Sequence, residues 1–430
     1  MARKMKDSGI EWIGEIPEGW TCKRGKQLFV ETNERSKTGS EELLTVSHLT
    51  GVTPRSQKNV NMFMSESLVD YKVCHPGDLA ANTMWMWQGA IGVSRFHGVI
   101  SPSYNTYRQR TINYIPEYLD YLLRIRPLVD TYNAYSTGIT LSRLRLYPQS
   151  FLSIHFIVPP MDEQQKIATY LDVECSRIDA MLAKTRDSIE EYKKLKQAVI
   201  TQAVTKGVRG EREMKDSGVE WIGEIPAEWS ITKIKSGVTK IGSGKTPSGG
   251  AETYTDSGVI FLRSQNVYDC TLNLESPTYI SPEVDATMKS TRVLPDDVLL
   301  NITGGSIGRC SIVPKTLGLA NVNQHVCIIR TNPLIFLPKY MQYFWVSTLG
   351  HLAIDLYQTG GNREGMSADA IRNTPIPYAP LNEQKEIADY LDAKCAEIDK
   401  LIAKKEQLVK ELESYKKSLI YEVVTGKREV

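Results

Sequence analysis

Gly242-Ser-Gly-Lys-Thr246 carries the ending of a phosphate-binding loop, in which Lys and Ser/Thr hold a nucleotide's phosphates and metal ion. The full pattern needs a glycine five positions before Gly244, where Thr239 stands, and Pro247 follows at once. Nucleotide binding is therefore rejected here. Six histidines (His48, His75, His97, His155, His325, His351) show neither HExxH nor another metal-ligand spacing, and seven cysteines form no CxxC pair. No GxSxG, no Rossmann glycine fingerprint and no paired-carboxylate nuclease motif is present. Asp296-Asp297 precedes an apolar strand and reads as a turn cap. Asn332-Pro-Leu-Ile is not the Asn/Asp-Pro-Pro-aromatic motif of an adenine-N6 methyltransferase. These signatures fail together, which favours binding over catalysis and assigns no catalytic residue and no metal.

The side chains that could bind are of one kind. Arg, Asn and Gln pair bidentately with guanine and adenine edges in the major groove, and Lys, Ser and Thr suit phosphates. They cluster with aromatic residues at turns. The first cluster set is Asn82, Trp85 and Gln88, then Ser103, Tyr104 and Asn105, then Arg143 and Arg145. The second is Lys245 and Thr246, then Arg263, Gln265 and Asn266, then Thr303 and Ser306, Asn323 and Gln324, and Asn362 and Arg363. Any one of these alone is an ordinary surface turn residue. Their clustering points to double-stranded DNA.

The elements that must position them come from an internal repeat. Residues 5–20 read MKDSGIEWIGEIPEGW, and 214–229 read MKDSGVEWIGEIPAEW. Residues 159–182, PPMDEQQKIATYLDVECSRIDAML, recur as 379–402, APLNEQKEIADYLDAKCAEIDKLI. The offset grows from 209 (214 − 5) to 220 (379 − 159), so the second intervening segment is longer. The middles, roughly 21–158 and 230–378, show little similarity to each other. Drift after duplication blurs frame and middle alike. Similar frames around unlike middles suggest one scaffold presenting two specificities.

Each repeated helix opens after proline, with Asp162 and Asn382 as N-cap candidates and Glu163 and Glu383 placing acid in the first turn. A 4-3 apolar spacing continues from there, through Leu171, Cys175, Ile178, Leu182 and Ile189 in one copy and Leu391, Cys395, Ile398, Ile402 and Val409 in the other. That period predicts a coiled coil, each helix about 40 residues and ~60 Å long. The short linker back from the first helix favours antiparallel packing, since about 20 residues reach at most ~66 Å. The two cysteines are read as small core residues. The expected architecture is mixed α/β (α+β): target-reading domains at 1–158 and 208–378, separated by an antiparallel pair of long helices at 159–207 and 379–430, a pseudo-twofold dumbbell.

The middles read as short β-rich stretches, among them Gly258-Val-Ile-Phe-Leu, Val298-Leu-Leu-Asn-Ile and His325-Val-Cys-Ile-Ile-Arg, with helical stretches from Pro116 to about Ala134 and Pro338 to about Leu356. Lys+Arg (52) nearly balance Asp+Glu (50), so net charge alone names no partner. The polar start Met1-Ala-Arg-Lys-Met-Lys is followed by no apolar stretch of secretory type, no apolar run is long enough to span a bilayer, and a reducing, cytoplasmic setting is expected.

The repeated Asp-Ser-Gly-Ile/Val-Glu-Trp-Ile-Gly-Glu-Ile-Pro and Pro-x-x-x-Glu-Gln-x-x-Ile-Ala-x-Tyr-Leu-Asp, with Ser243-Gly-Lys-Thr-Pro, Leu299-Leu-Asn-Ile-Thr-Gly-Gly-Ser-Ile-Gly308 and Gly89-Ala-Ile-Gly92, resemble the specificity subunits (HsdS) of Type I restriction-modification systems. The resemblance runs over essentially the whole chain. It implies two target recognition domains, each reading half of an asymmetric, interrupted site, and helices that set the gap. It implies two methyltransferase (HsdM) subunits supplying S-adenosylmethionine chemistry and two ATP-driven translocase-nuclease (HsdR) subunits, with no cofactor on this chain. Met84-Trp-Met-Trp-Gln departs from Thr303-Gly-Gly-Ser at the matching place. Two other readings are the specificity portion of another restriction enzyme type and a coiled-coil adaptor that binds no DNA.

Overall fold

The computed structural model describes residues 3–58, 67–139, 144–358 and 365–430. The chain divides into two compact units, Met1–Arg186 with Gln407–Val430, and Asp187–Glu406. The division falls inside both long helices, Met161–Lys206 and Leu381–Val424.

Each unit is built on the same frame. In the first, a four-stranded antiparallel sheet runs in the order Phe29–Thr32, Asn105–Gln109, Leu79–Ala81, Ile91–Val93. In the second the order is Val238–Ser243, Val326–Thr331, Val298–Asn301, Cys310–Ile312. Leu79–Ala81, Ile91–Val93 and Val298–Asn301 are apolar-rich and buried on both faces, whereas the edge strands Phe29–Thr32 and Val238–Ser243 are largely half-buried or exposed. An aspartate precedes the third strand of each sheet and takes a two-pronged arginine from the second. Asp78 accepts from Arg108 at 2.7 and 2.8 Å, and Asp297 from Arg330 at 2.7 Å twice. The same carboxylates accept the backbone N–H of His75 and of Leu294. Asp297 thus caps a turn, as expected, and also closes a buried ion pair. Against these matched sheets the additions differ. The first unit adds two hairpin-like pairs, Leu44–Ser47 with Gly51–Pro54 and Lys72–Cys74 with Gly98–Ile100. The second adds a sheet of Tyr254–Thr255, Thr278–Ile280, Val259–Leu262 and Ala320–Val322, whose last pair is parallel.

The repeated segments have a mechanical role. Each forms a hairpin, Met5–Asp7 with Glu15–Pro17 and Met214–Asp216 with Glu224–Pro226, then a strand pairing with the one that enters the long helix. Each ends in a fully buried tryptophan whose Nε1 donates to the first-turn glutamate, Trp20 to Glu163 and Trp229 to Glu383, both at 2.9 Å. An arginine lies over each indole, Arg3 at 5.4 Å and Arg212 at 5.2 Å, and also pairs with that glutamate. The Arg212–Glu383 contact is close, 2.6 Å, but poorly aligned, so Glu383 Oε1 has charge pairing without a hydrogen bond. The next residue explains the repeated Glu-Gln. Gln164 accepts from Ile115 N and donates to Asn113 O, while Gln384 accepts from Leu337 N and donates to Ile335 O. The helix start is thereby tied to the segment between the repeats in each unit.

Three local expectations are corrected. Asp162 and Asn382 are not caps: Pro160 and Pro380 O already accept from Gln164 and Gln384 N, so each helix begins two residues earlier. The stretch from Pro116 is two helices, Pro116–Leu122 and Arg126–Tyr135, with Pro127 in the first turn of the second. The stretch from Pro338 breaks likewise at Ser347, whose hydroxyl accepts from Gly350 N and starts Thr348–Tyr357.

The long helices pair antiparallel within each unit. In the first, Lys416 reaches Asp179 at 2.6 Å and Arg186 reaches Glu413 at 2.6 Å. In the second, Lys196 reaches Asp399 at 2.7 Å and Arg209 reaches Glu386 at 2.8 Å. One partner's numbers climb as the other's fall. The two lysine–aspartate pairs are the same pair displaced by 220 (399 − 179 and 416 − 196). Leu171, Ile178, Leu182 and Ile189 are buried, as are Leu391 and Ile398, while Ile402 and Val409 are half-buried. Cys175 and Cys395 are buried free thiols, and burial pushes both up.

Candidate nucleic-acid interface

In each sheet the third and fourth strands are joined by a connection of equal length, Asn82–Ala90 and Asn301–Arg309. Both begin on a buried asparagine whose backbone N–H closes the loop, Asn82 to Ala90 O and Asn301 to Arg309 O, at 2.9 Å each. Both end on a left-handed glycine, Gly89 (φ 87°) and Gly308 (φ 89°). A side chain at Gly89 would strike Val129, so the glycine presses this loop onto the helix Arg126–Tyr135. In sequence Met84-Trp-Met-Trp-Gln already stands opposite Thr303-Gly-Gly-Ser; the equal length and matching ends were not legible there, because only Asn and Gly are shared and both are common in turns.

Around the second loop, distant segments converge. Thr303 Oγ1 bonds His325 Nδ1 at 2.6 Å, Gln324 Nε2 lies 2.9 Å from His325 Nε2, and Thr246 bonds Gln324. One polar chain therefore joins segments that lie far apart in sequence. Gly244 lets its strand end run against the carbonyls of Val322 and Asn323, where a Cβ would sit at 2.1 Å and 2.3 Å. Lys245 beside it is exposed. Asn301 Nδ2 holds Ser264 O at 2.8 Å, bringing Arg263 and exposed Gln265 to the same side, and Ser306 Oγ lies 3.2 Å from that Nδ2. Arg263 stacks over Tyr254 at 5.6 Å, and Arg309 over Tyr268 at 4.6 Å. A backbone bridge pairs Thr303 with Gly365. Asn362 and Arg363 lie outside the described residues, as does Arg143.

Around the first loop the grouping is similar but the chemistry differs. Thr83 Oγ1 bonds Ser103 O at 2.8 Å and Asn82 Nδ2 bonds Tyr104 Oη at 2.8 Å. Thr83, Met84, Ser103, Asn105, Arg145 and Tyr147 line one cavity of about 320 Å³. Arg145 pairs its backbone with Thr137. Trp85 stands out from the loop, 48% exposed, with its ring stacked 6.1 Å from Trp87; Gln88 beside them is half-buried. Tyr147 and Tyr254, which adjoin these groups, carried no sequence signal.

Some candidates hold the frame instead of facing outward. Asn266 is buried, its Oδ1 taking Arg263 N and its Nδ2 giving to Asn273 O. Buried Asn323 accepts His325 N. Buried Asn105 accepts from Lys72 Nζ at 3.2 Å, and burial holds that lysine below its ordinary value. These side chains position their neighbours. Arg108 is likewise committed to Asp78.

Residues 226–411 match the family model described as the Type I restriction modification DNA specificity domain. The chain is 25% identical to the EcoBI specificity subunit of Escherichia coli over 59% of its own length and 54% of that protein's. It is also 25% identical to the MjaVIII specificity subunit of Methanocaldococcus jannaschii, over 80% of this chain and 78% of that one. This chain is similar to the Type I specificity subunits, and carries the match to their DNA specificity domain over residues 226–411. Among solved structures, the fold matches a chain described in connection with complex assembly and conformational transition of the type I R-M system, with TM-score 0.74, 15% identity and coverage of 96% and 99%. It also matches the HsdS subunit from Thermoanaerobacter tengcongensis, with TM-score 0.51, 16% identity and coverage of 96% and 98%. Among the described residues no helix is long and apolar enough to cross a membrane.

Proposed function

We propose that this chain is a specificity subunit that reads an asymmetric, bipartite DNA site, with 1–158 taking one half, 208–378 the other, and the helices 159–207 and 379–430 setting the spacer. The observation that carries the reading is the pair of equal-length loops on matched frames with unlike side chains, each ringed by Arg, Gln, Thr and aromatic groups. One frame with two chemistries is what two half-sites of different sequence require. In this reading the chain performs no catalysis itself. Two methyltransferase subunits dock on it and bring S-adenosylmethionine, two translocase-nuclease subunits bring ATP, and the complex works in the cytoplasm.

Methylation mapping in a host carrying the chain with its methyltransferase partners tests this. One bipartite adenine-methylated motif is expected, its gap changing when both helices are lengthened together and its half-sites unchanged. Each helical turn adds 5.4 Å, about one and a half base-pair rises of ~3.4 Å. Half-sites that change at constant gap overturn the ruler. A coiled-coil adaptor would yield no motif and no loss of DNA affinity with added salt, whereas phosphate-driven binding weakens steeply.

A further inference from the structure

Trp85 is held in a way that a merely tolerated surface tryptophan is not. Its backbone makes three hydrogen bonds: its N–H donates to Asn82 O at 3.0 Å, and its carbonyl accepts from Gln88 N at 2.9 Å and Ala90 N at 3.2 Å. Behind it Trp87 is pinned by its own Nε1, which donates to Met84 O at 3.1 Å. The two rings lie nearly parallel, 16° apart, and the loop beneath rests on the helix Arg126–Tyr135 through Gly89. The result is a rigid, backed indole with 48% of its surface in solvent.

The cavity beside Met84, the neighbour of Trp85, is lined mainly by polar groups. Met84 shares this 320 Å³ cavity with Thr83, Ser103, Arg145 and Tyr147. Thr83 is already bonded to Ser103 O, but an apolar partner protein would offer nothing to the rest of the Arg145 guanidinium or to the Tyr147 hydroxyl. A nucleobase offers both a π-face for the indole and polar edges for the rest, and stacking of this kind accepts any base. The matching loop of the second unit has Gly304 and Gly305 at this place, with open space around both. The loop itself, residues 302–309, carries no aromatic ring.

We propose that Trp85, backed by Trp87, stacks on a nucleobase and unstacks one base step in the half-site read by the first recognition domain, so that the two half-sites are read by different physical means. The second would be read without a wedge from its loop, the first partly through the ease with which a particular step opens. The inference rests on the DNA-reading function proposed above.

The test uses the full chain with its methyltransferase partners. Duplexes are first selected from a randomised pool, and 2-aminopurine, which brightens when unstacked, is then placed in turn through each half-site. One position in the first half-site is expected to brighten several-fold with wild type and with Trp85→Phe. Trp85→Ala and Trp85→Leu should both remove that signal and weaken binding about tenfold. Brightening at the methylated adenine, which the partners govern, and selectivity at the second half-site should stay as in wild type, which shows the variants folded. If no position in the first half-site brightens, or if Trp85→Leu brightens as wild type does, the wedge is overturned while DNA reading stands. If no duplex is selected at all, the DNA-reading function fails and the wedge falls with it.

Discussion

Glu163 and Glu383 occupy the same place in the two units, and their surroundings show where the copies have parted. Glu383 is fully buried between Trp229 and Arg212, with Arg209 3.9 Å away. Glu163 makes the matching bonds to Trp20 and Arg3 but keeps 27% of its side chain in water. Two arginines close over the glutamate of the second unit, and among the described residues Arg3 does so in the first. A repeated motif can thus keep its partners while its burial, and with it the cost of losing them, changes.

The largest expected difference comes from that burial. Glu383→Ala leaves Trp229 Nε1 and Arg212 facing an empty, dry site, and stripping one member from a buried pair costs about 3–5 kcal/mol. Glu163→Ala leaves groups that water can reach, and about 1 kcal/mol is expected, near the net worth of one hydrogen bond. Urea unfolding combined with peptide-resolved hydrogen exchange reads each unit separately. Equal losses would mean that the two sites are energetically alike despite their exposure.

The sheets give a smaller contrast of the same kind. Asp78 and Asp297 are both buried, but Arg108 is 46% exposed and Arg330 29%. Each arginine is held above its ordinary range, first by the hydrogen bonds to its aspartate. Asp297→Asn should cost roughly 2–3 kcal/mol and Asp78→Asn about 1–2, since the freed Arg108 is the better solvated of the two. The same denaturant series measures both, and a reversed order would mean that solvation does not rank these pairs.

The frame was legible in sequence and the reading surface was not, for a physical reason. Helix pairing repeats a short period over a long distance, so Leu171, Ile178 and Leu391 announce their burial together. Hairpin, buried tryptophan and first-turn glutamate recur as a set because they touch, although as bare sequence they show only that they repeat. The surface is assembled by groups that meet only in space. Nothing local tells that Thr303 reaches His325, or that Asn266 is consumed by Asn273 while Gln265 next to it is free to face outward. Side-chain type suggested the chemistry, and burial decides which members of each cluster can present it. Asn105 and Asn323 have the right type and the wrong exposure.

Exchange of the two loops puts the matched-frame idea at risk directly. Residues 83–88 and 302–307 can be swapped while Asn82, Asn301, Gly89 and Gly308 stay. Equal length and equal ends predict a folded chain in which base preference moves with the loop, by about 1–3 kcal/mol for each base-edge pairing that the swap makes or breaks. Selection from a random duplex pool reads the outcome. A chain that folds but keeps both original half-sites would place specificity in the neighbouring segments instead.

The smallest expected effect separates the added layers by pH. Asp285 in the second unit is buried, which pushes its carboxyl up, but hydrogen bonds from Arg292 and Asn321 and the charge of Arg292 outweigh this and leave it below its ordinary value. A folded-state value under the unfolded one contributes stability that is complete above about pH 4 and fades as pH falls through the folded value. Lys72 in the first unit has the other sign in charge. Burial holds it low, so its cost is present at neutral pH and shrinks as pH rises toward its ordinary alkaline range. Asp285→Asn should therefore weaken the second unit near neutrality, with the gap to wild type closing in acid. Lys72→Met should strengthen the first unit near neutrality, with the gap closing in alkali. Unfolding midpoints taken unit by unit across pH show whether the limbs fall in opposite directions. Two limbs on the same side would mean that these buried charges do not govern the layers that hold them.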